Sequence, residues 1–241
     1  MGRTTVFCIV EGQTENAVLK ALIAPHLGEL GVDFHVPIVR VGRGRGGVKF
    51  LEAADLFDQV RRLLKDPRHA HVTTFFDYYA FPESEARGWK FVSTLKAEAP
   101  FRGAEAVAEL IEKEIHKRAV EGLELPNLTA RLIPYIQLHE LEALFFAEPD
   151  KTAATLGNPS MAKTFAQTVE QCGGCERIDD RPQTAPSKRI ELVFPWYVKG
   201  RSERAHGPRI AEKLELATVR DKCPRFNSWV AKLEALRPPL P

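Results

Sequence analysis

Two acids stand where apolar runs stop. Val6-Phe7-Cys8-Ile9-Val10 breaks at Glu11 into Gly12-Gln13-Thr14-Glu15 and a helical pattern, and Val72 to Phe76 ends at Asp77. Parallel α/β proteins gather their chemistry at the carboxyl ends of such buried strands. A third group follows a later strand-like stretch, His139-Glu140-Leu141-Glu142. Carboxylates are hard oxygen ligands that favour Mg²⁺ or Mn²⁺ over zinc. Beside phosphate, such an ion stabilises charge and activates water.

Glu15 is a further ligand or an ordinary acid of a first helical turn, where the free N–H groups and the dipole favour negative charge. Glu140 and Glu142, two residues apart, do not share a helical face. At a strand–helix junction one would turn toward the site and the other outward. His139 is a ligand, a phosphate contact or a proton shuttle on one reading, and a hydrogen-bonding group at a helix start on the other.

Positioning these groups requires strands alternating with helices. Strands are predicted at 4–10, 36–41, 71–77 and 130–137, the last distorted at Pro134. Helices are predicted at 14–30, kinked or divided at Pro25, and at 50–65, 104–119 and 138–146, with an irregular insert at 78–103. Alternation of this kind means a mostly parallel sheet flanked by helices. The remainder, 148–241, reads as a mainly helical extension packing on the 1–147 core, with helices near 160–171, 188–199 as far as an interruption at Pro195, 207–216 and 224–236. Gly42 to Gly47, with Arg40, Arg43 and Arg45 around it, reads as a phosphate-contact loop or as a solvated one. It is neither a G-x-G-x-x-G turn directly after the first strand nor a Walker A loop.

Composition narrows the class. The chain has 241 residues, 44% hydrophobic and 27% charged, with a formal charge of +2. This fits a globular domain and leaves room for a local basic groove. The opening lacks a signal-peptide pattern, and no apolar run reaches membrane-spanning length, so a cytoplasmic location is expected. Four cysteines do not make a disulfide framework. Cys172-Gly173-Gly174-Cys175 is half a zinc site, a redox pair or an inert loop.

Taken together, these stretches resemble a known family. Val10-Glu11-Gly12-Gln13-Thr14-Glu15 resembles the opening motif of Toprim-fold proteins. The chain more specifically resembles the DUF4276 family of the Toprim superfamily, related to the Toprim domains of OLD-family nucleases. The resemblance is carried by that motif, Phe76-Asp77-Tyr78-Tyr79, the run Pro134 to Phe146, Ala185-Pro186-Ser187-Lys188-Arg189, and the tail Cys223 to Trp229. It implies a Toprim-like, Rossmann-like core. In it Glu11 corresponds to the Toprim glutamate, a metal ligand or general acid–base, and Asp77 to the first aspartate of Asp-x-Asp. Tyr79 stands where the second aspartate is usual, so either Glu140 or Glu142 supplies the missing carboxylate, or the site binds one metal weakly, or catalysis is lost. The late lysine of OLD-type nucleases corresponds to Lys188, with Arg189 beside it. The resemblance also implies an ABC- or SMC-like ATPase partner and a role in phage defence.

The leading expectation is Mg²⁺- or Mn²⁺-dependent hydrolysis of DNA or RNA. Glu11, Asp77 and Glu140 would hold the ion, Glu15 or Glu142 would position a ligand or water, and Lys188 would stabilise phosphate charge. Arg40, Arg43, Arg45 and Arg189 would contact the nucleic acid backbone. The alternative is a non-catalytic Toprim-like subunit that binds nucleic acid or an ATPase.

Overall fold

The structure is a computed structural model. It describes residues 2–41, 51–66, 68, 70–121, 126–178, 181, 183–199, 201 and 203–239, with the side chains of 126 and 127 excepted. Its centre is a parallel sheet. Strands β1 (Thr4–Val10), β2 (Val32–His35), β3 (His71–Asp77) and β4 (Leu132–Ile133) lie in the order β2-β1-β3-β4, and β5 (Ile136–Gln137) also pairs with β3.

Helices cover both faces. The chain runs β1, α1 (Gln13–Leu22), α2 (Ala24–Glu29), β2, α3 (Ala53–Leu64), β3, α4 (Lys90–Lys96), α5 (Ala99–Arg102), α6 (Ala104–Val120) and α7 (Pro126–Thr129) before β4 and β5. After β5 come α8 (Pro149–Thr155), α9 (Ala162–Cys172), α10 (Pro186–Val193), α11 (Glu203–Ala211), α12 (Leu216–Lys222) and α13 (Pro224–Glu234).

The alternation of side chains along β1 divides the interior in two. Val6, Cys8 and Val10 join one core with α1, α2 and the late helices, including Phe226 and Trp229. Ile9 joins the other, with Val60 of α3 and Ile111 of α6. A strand buried on both faces is continuously apolar for this reason. Helix α11 packs on α1 at Gly207, where a Cβ would stand 3.1 Å from the Thr14 methyl.

Five predicted elements are revised. The second strand is Val32–His35, not 36–41. Pro37 has no N–H for a ladder, although its carbonyl still takes the Val10 N–H at 3.0 Å and the Val39 N–H reaches the Val10 carbonyl at 2.8 Å. The predicted strand 130–137 is two short strands separated at Pro134. There the Thr74 hydroxyl bridges to the Tyr135 N–H and carbonyl, both at 2.9 Å.

The predicted helix 138–146 is a 3-10 run over Leu141–Ala147. The helix expected as far as Pro195 ends at Val193, since the residue before that proline is pushed out of helical geometry, whereas the predicted helix 207–216 is replaced by α11, which ends at Ala211, and α12, which starts at Leu216. Helix 14–30 is divided at Ile23, with Pro25 in the first turn of α2, where its missing donor costs nothing. The insert 78–103 carries a 3-10 turn, α4 and α5. No helix among the described residues is long and apolar enough to cross a membrane.

Candidate acidic site at the sheet switch point

The strand order reverses direction between β1 and β3, which opens a crevice at their carboxyl ends. Glu11 follows β1 directly and Asp77 closes β3. A Glu11 carboxylate oxygen accepts the Asp77 backbone N–H at 2.9 Å, which ties the two strand ends together. Glu15 lies in the first turn of α1 and is only 6% exposed. Its carboxylate fits because residue 12 is glycine: a Cβ there would stand 3.1 Å from Glu15 Oε2.

Beyond β5 the chain turns sharply. His139 has φ +60°, a left-handed conformation that side chains other than glycine seldom adopt. Glu140 is then extended and the 3-10 run follows. This geometry sends both Glu140 and Glu142 inward, each 1% exposed, instead of one in and one out. The Asp77 Oδ1 accepts the Leu141 N–H at 2.8 Å, and Glu140 Oε2 accepts the Ser187 N–H at 2.8 Å from the start of α10.

The group at the centre of these acids is Lys199. Its ammonium stands 2.9 Å from Asp77 Oδ2, 3.0 Å from Glu140 Oε1 and 3.7 Å from Glu142 Oε2. The Tyr197 hydroxyl donates to Glu142 Oε1 at 3.4 Å. Burial alone would lower the Lys199 ammonium, but Asp77, Glu142 and Glu140 hold it well above the ordinary lysine value.

The acids are under-compensated. Burial pushes the Glu11 carboxyl well above its ordinary range, and the charges of Asp77 and Glu15 push it further. Burial raises Asp77 despite the opposing pull of Lys199, with Glu140 adding to the rise. Glu142 is driven well up by burial, and Lys199 only partly offsets it. Burial and the nearby Asp77 charge lift Glu15 to about 7.

The remaining predicted site residues stand elsewhere. Lys188 is half exposed and pairs with Glu191, one turn along α10; the stretch Ala185 to Arg189 reaches the acids through the Ser187 backbone. Arg189 donates to the Thr184 carbonyl at 3.4 Å. His139 lines a separate cavity of about 520 Å³ with Gly103, Glu105 and Arg177. Arg40 is exposed, while Arg43 and Arg45 lie outside the described residues. The side chain of Tyr79 is 43% exposed, and its N–H donates to the His139 carbonyl at 3.0 Å.

An all-oxygen set of buried carboxylates with excess negative charge fits a hard divalent cation in chemistry and in sign. Among the described residues no group of three acids, histidines or cysteines closes to metal-holding distance. The Lys199 ammonium stands between the carboxylates instead.

The family model described as "Domain of unknown function (DUF4276)" matches residues 10–234. The chain belongs to the DUF4276 family. That family is grouped with Toprim-like domains associated with OLD nucleases, and the parallel sheet with Glu11 and Asp77 at its switch point has that architecture. No curated protein and no solved structure matches the chain. Lys199 is the residue of this DUF4276 site that sequence reasoning missed. Its only sequence signal is the Tyr197-Val198-Lys199 alternation after Pro195, which sends residues 197 and 199 the same way.

Proposed function

We propose that the protein is a Mg²⁺- or Mn²⁺-dependent phosphodiester hydrolase acting on nucleic acid. The observation that carries this reading is the convergence of the buried Asp77, Glu140 and Glu142 on one half-buried lysine beside Glu11, at the carboxyl end of the sheet. Glu11, Asp77 and Glu140 would hold the ion. When bound, it would polarise a phosphoryl oxygen and acidify water.

The chain's own residues supply the rest. The Lys199 ammonium, in the role the sequence assigned to Lys188, would move from its carboxylates to a phosphate oxygen and stabilise charge that grows there. Glu15, titrating at about 7, is poised near neutral pH to take a proton from an attacking water. Ser187 N–H and Tyr197 keep Glu140 and Glu142 oriented.

A second reading, a non-catalytic subunit binding nucleic acid or an ABC- or SMC-like ATPase, draws support from Lys199, which already compensates part of the acid charge. Assays for nicking of plasmid DNA and cleavage of RNA separate the two. The hydrolase reading expects Mg²⁺- or Mn²⁺-dependent cleavage by the protein, alone or with an ATPase partner, that is lost in Glu11→Gln and Lys199→Ala. Equal inertness of wild type and Glu11→Gln under all these conditions would leave the non-catalytic reading.

A further inference from the structure

Exposed large hydrophobics recur on the segments that carry the acidic site. Among the described residues the exposed large hydrophobics are Ile38, Tyr79, Phe101, Leu192, Trp196 and Val198. All but Phe101 belong to segments that carry the site. Ile38 bridges Val10, next to Glu11. Tyr79 lies two residues past Asp77. Leu192 is on α10, whose first turn holds Glu140. Trp196 and Val198 flank Tyr197 and lead into Lys199. Scattered surface hydrophobics need no explanation, but five of six on the segments of one site do.

Local geometry keeps two of them at the surface. After Pro195 the chain alternates, with Tyr197 fully buried against Glu142 and Lys199 turned to the acids, while Trp196 and Val198 stay 45% and 37% exposed. The Trp196 ring is backed by His206 at 4.6 Å and Phe194 at 5.8 Å between centroids, so it is propped rather than loose. Arg40, Arg201 and Arg204, all exposed, lie on the same segments or at the start of α11. Exposed aromatic rings beside cations are the chemistry that binds unpaired bases and their backbone. A duplex offers no base faces at its side, whereas a single strand does.

We propose that Tyr79 and Trp196 form a base-stacking lip that selects single-stranded or locally unpaired nucleic acid for this site. The substrate class rests on the phosphodiester reading above. Bases stack on the two rings, the rim arginines meet phosphates away from the acids, and the backbone between is led over Lys199.

Tryptophan emission provides a readout independent of hydrolysis, because Trp89 and Trp229 are 0% and 1% exposed and only Trp196 meets solvent. The full chain is titrated with a single-stranded oligothymidylate and with a duplex, Ca²⁺ replacing Mg²⁺ to suppress cleavage. The single strand should quench emission and bind at least about tenfold tighter than the duplex. Trp196→Ala and Tyr79→Ala should each weaken single-strand binding roughly 5- to 100-fold by anisotropy, the range expected for one lost base–aromatic stack. Trp196→Phe should retain affinity and lose the quench, which separates stacking from misfolding.

Equal affinity for both forms, or alanine variants that bind like wild type, overturns the proposal. So does an emission change that tracks protein concentration without DNA and accompanies dimerisation, which would give the lip to a second copy. Single-strand stacking without cleavage keeps the lip and sinks the hydrolase. Cleavage without strand preference does the reverse.

Discussion

Two cations surrounded by acids, one buried and one half-buried, divide the molecule into a site and a girder. Arg225, 8% exposed, bonds Glu112, stands 3.8 Å from Glu109, donates to the Ile136 carbonyl at 3.4 Å and lies 5.5 Å from the Tyr135 ring centre. The acids around it are occupied. Glu112 also takes the Ile136 N–H at 2.7 Å, and the two Glu176 oxygens take the Arg225 and Phe226 N–H groups at 2.9 Å each. A planar guanidinium with fixed backbone donors makes a closed network that ties α6, β5 and α13 together.

At Lys199 the balance differs. Burial raises Glu112 and Glu176 around Arg225 as well, but here one ammonium faces three buried carboxylates, Asp77, Glu140 and Glu142, at close range, with Glu11 and Glu15 nearby. Balanced buried charge holds a fold in one arrangement; excess charge of one sign is poised for a counter-ion. A buried acid cluster therefore suggests function by its imbalance, not by its burial.

Four measurements would break or sharpen this contrast. Asp77→Asn keeps the acceptor for the Leu141 N–H but removes charge, so cleavage should fall about 10³-fold, ~4 kcal/mol in the transition state, with little loss of melting temperature. Arg225→Met should show the opposite pattern. Stranding Glu112 without its cation costs about 3 kcal/mol, which lowers Tm by roughly 6–12 °C for a chain of this size, and cleavage by the remaining folded protein persists. Equal stability losses in both variants would erase the distinction between site and girder.

Divalent cation should stabilise through the Lys199 cluster alone. At a hundredfold excess over Kd, Mg²⁺ or Mn²⁺ contributes ~2.7 kcal/mol, an upward Tm shift absent in Asp77→Asn and kept in Arg225→Met. A shift kept in Asp77→Asn would move the ion elsewhere.

The smallest effect concerns Glu15. Its carboxyl titrates at about 7 in the fold against an ordinary 4.5, so the folded chain favours the protonated form. The stability tied to that proton is complete below pH 4.5 and is lost as pH rises through 7. Glu15→Gln, neutral throughout, should therefore be more stable than wild type at pH 8, a gain that vanishes below pH 4.5. Melting curves across that range check it; a pH-independent difference would mean Glu15 carries no unfavourable charge.

The legible parts of the fold were those with a strong local pattern. β1 and β3 are apolar on both faces, and the acids that end them were visible as breaks in those runs. β2 was placed too late because Val36, Val39 and Val41 look like a strand, while the ladder actually uses Val32–His35 before Pro37 interrupts it. The 3-10 run at Leu141–Ala147 was read as a helix because both patterns bring apolar residues round every three to four positions. That error hid the inward turn of both Glu140 and Glu142. Lys188 and Lys199 are equally plain in the sequence; the choice between them depends on where α10 ends.

The sequence by itself determined the alternating core and the positions of Glu11 and Asp77, because burial on both sheet faces and the strand-to-turn break are local properties of a few residues. It also determined the family. Only the tertiary structure decided which lysine faces the acids, that Glu140 and Glu142 turn in together, and that Trp196 and Tyr79 stay exposed. Those outcomes depend on where distant segments dock: α11 against α1 at Gly207, and the chain after Pro195 against the carboxyl end of β3. No pattern of neighbours along the chain encodes that meeting.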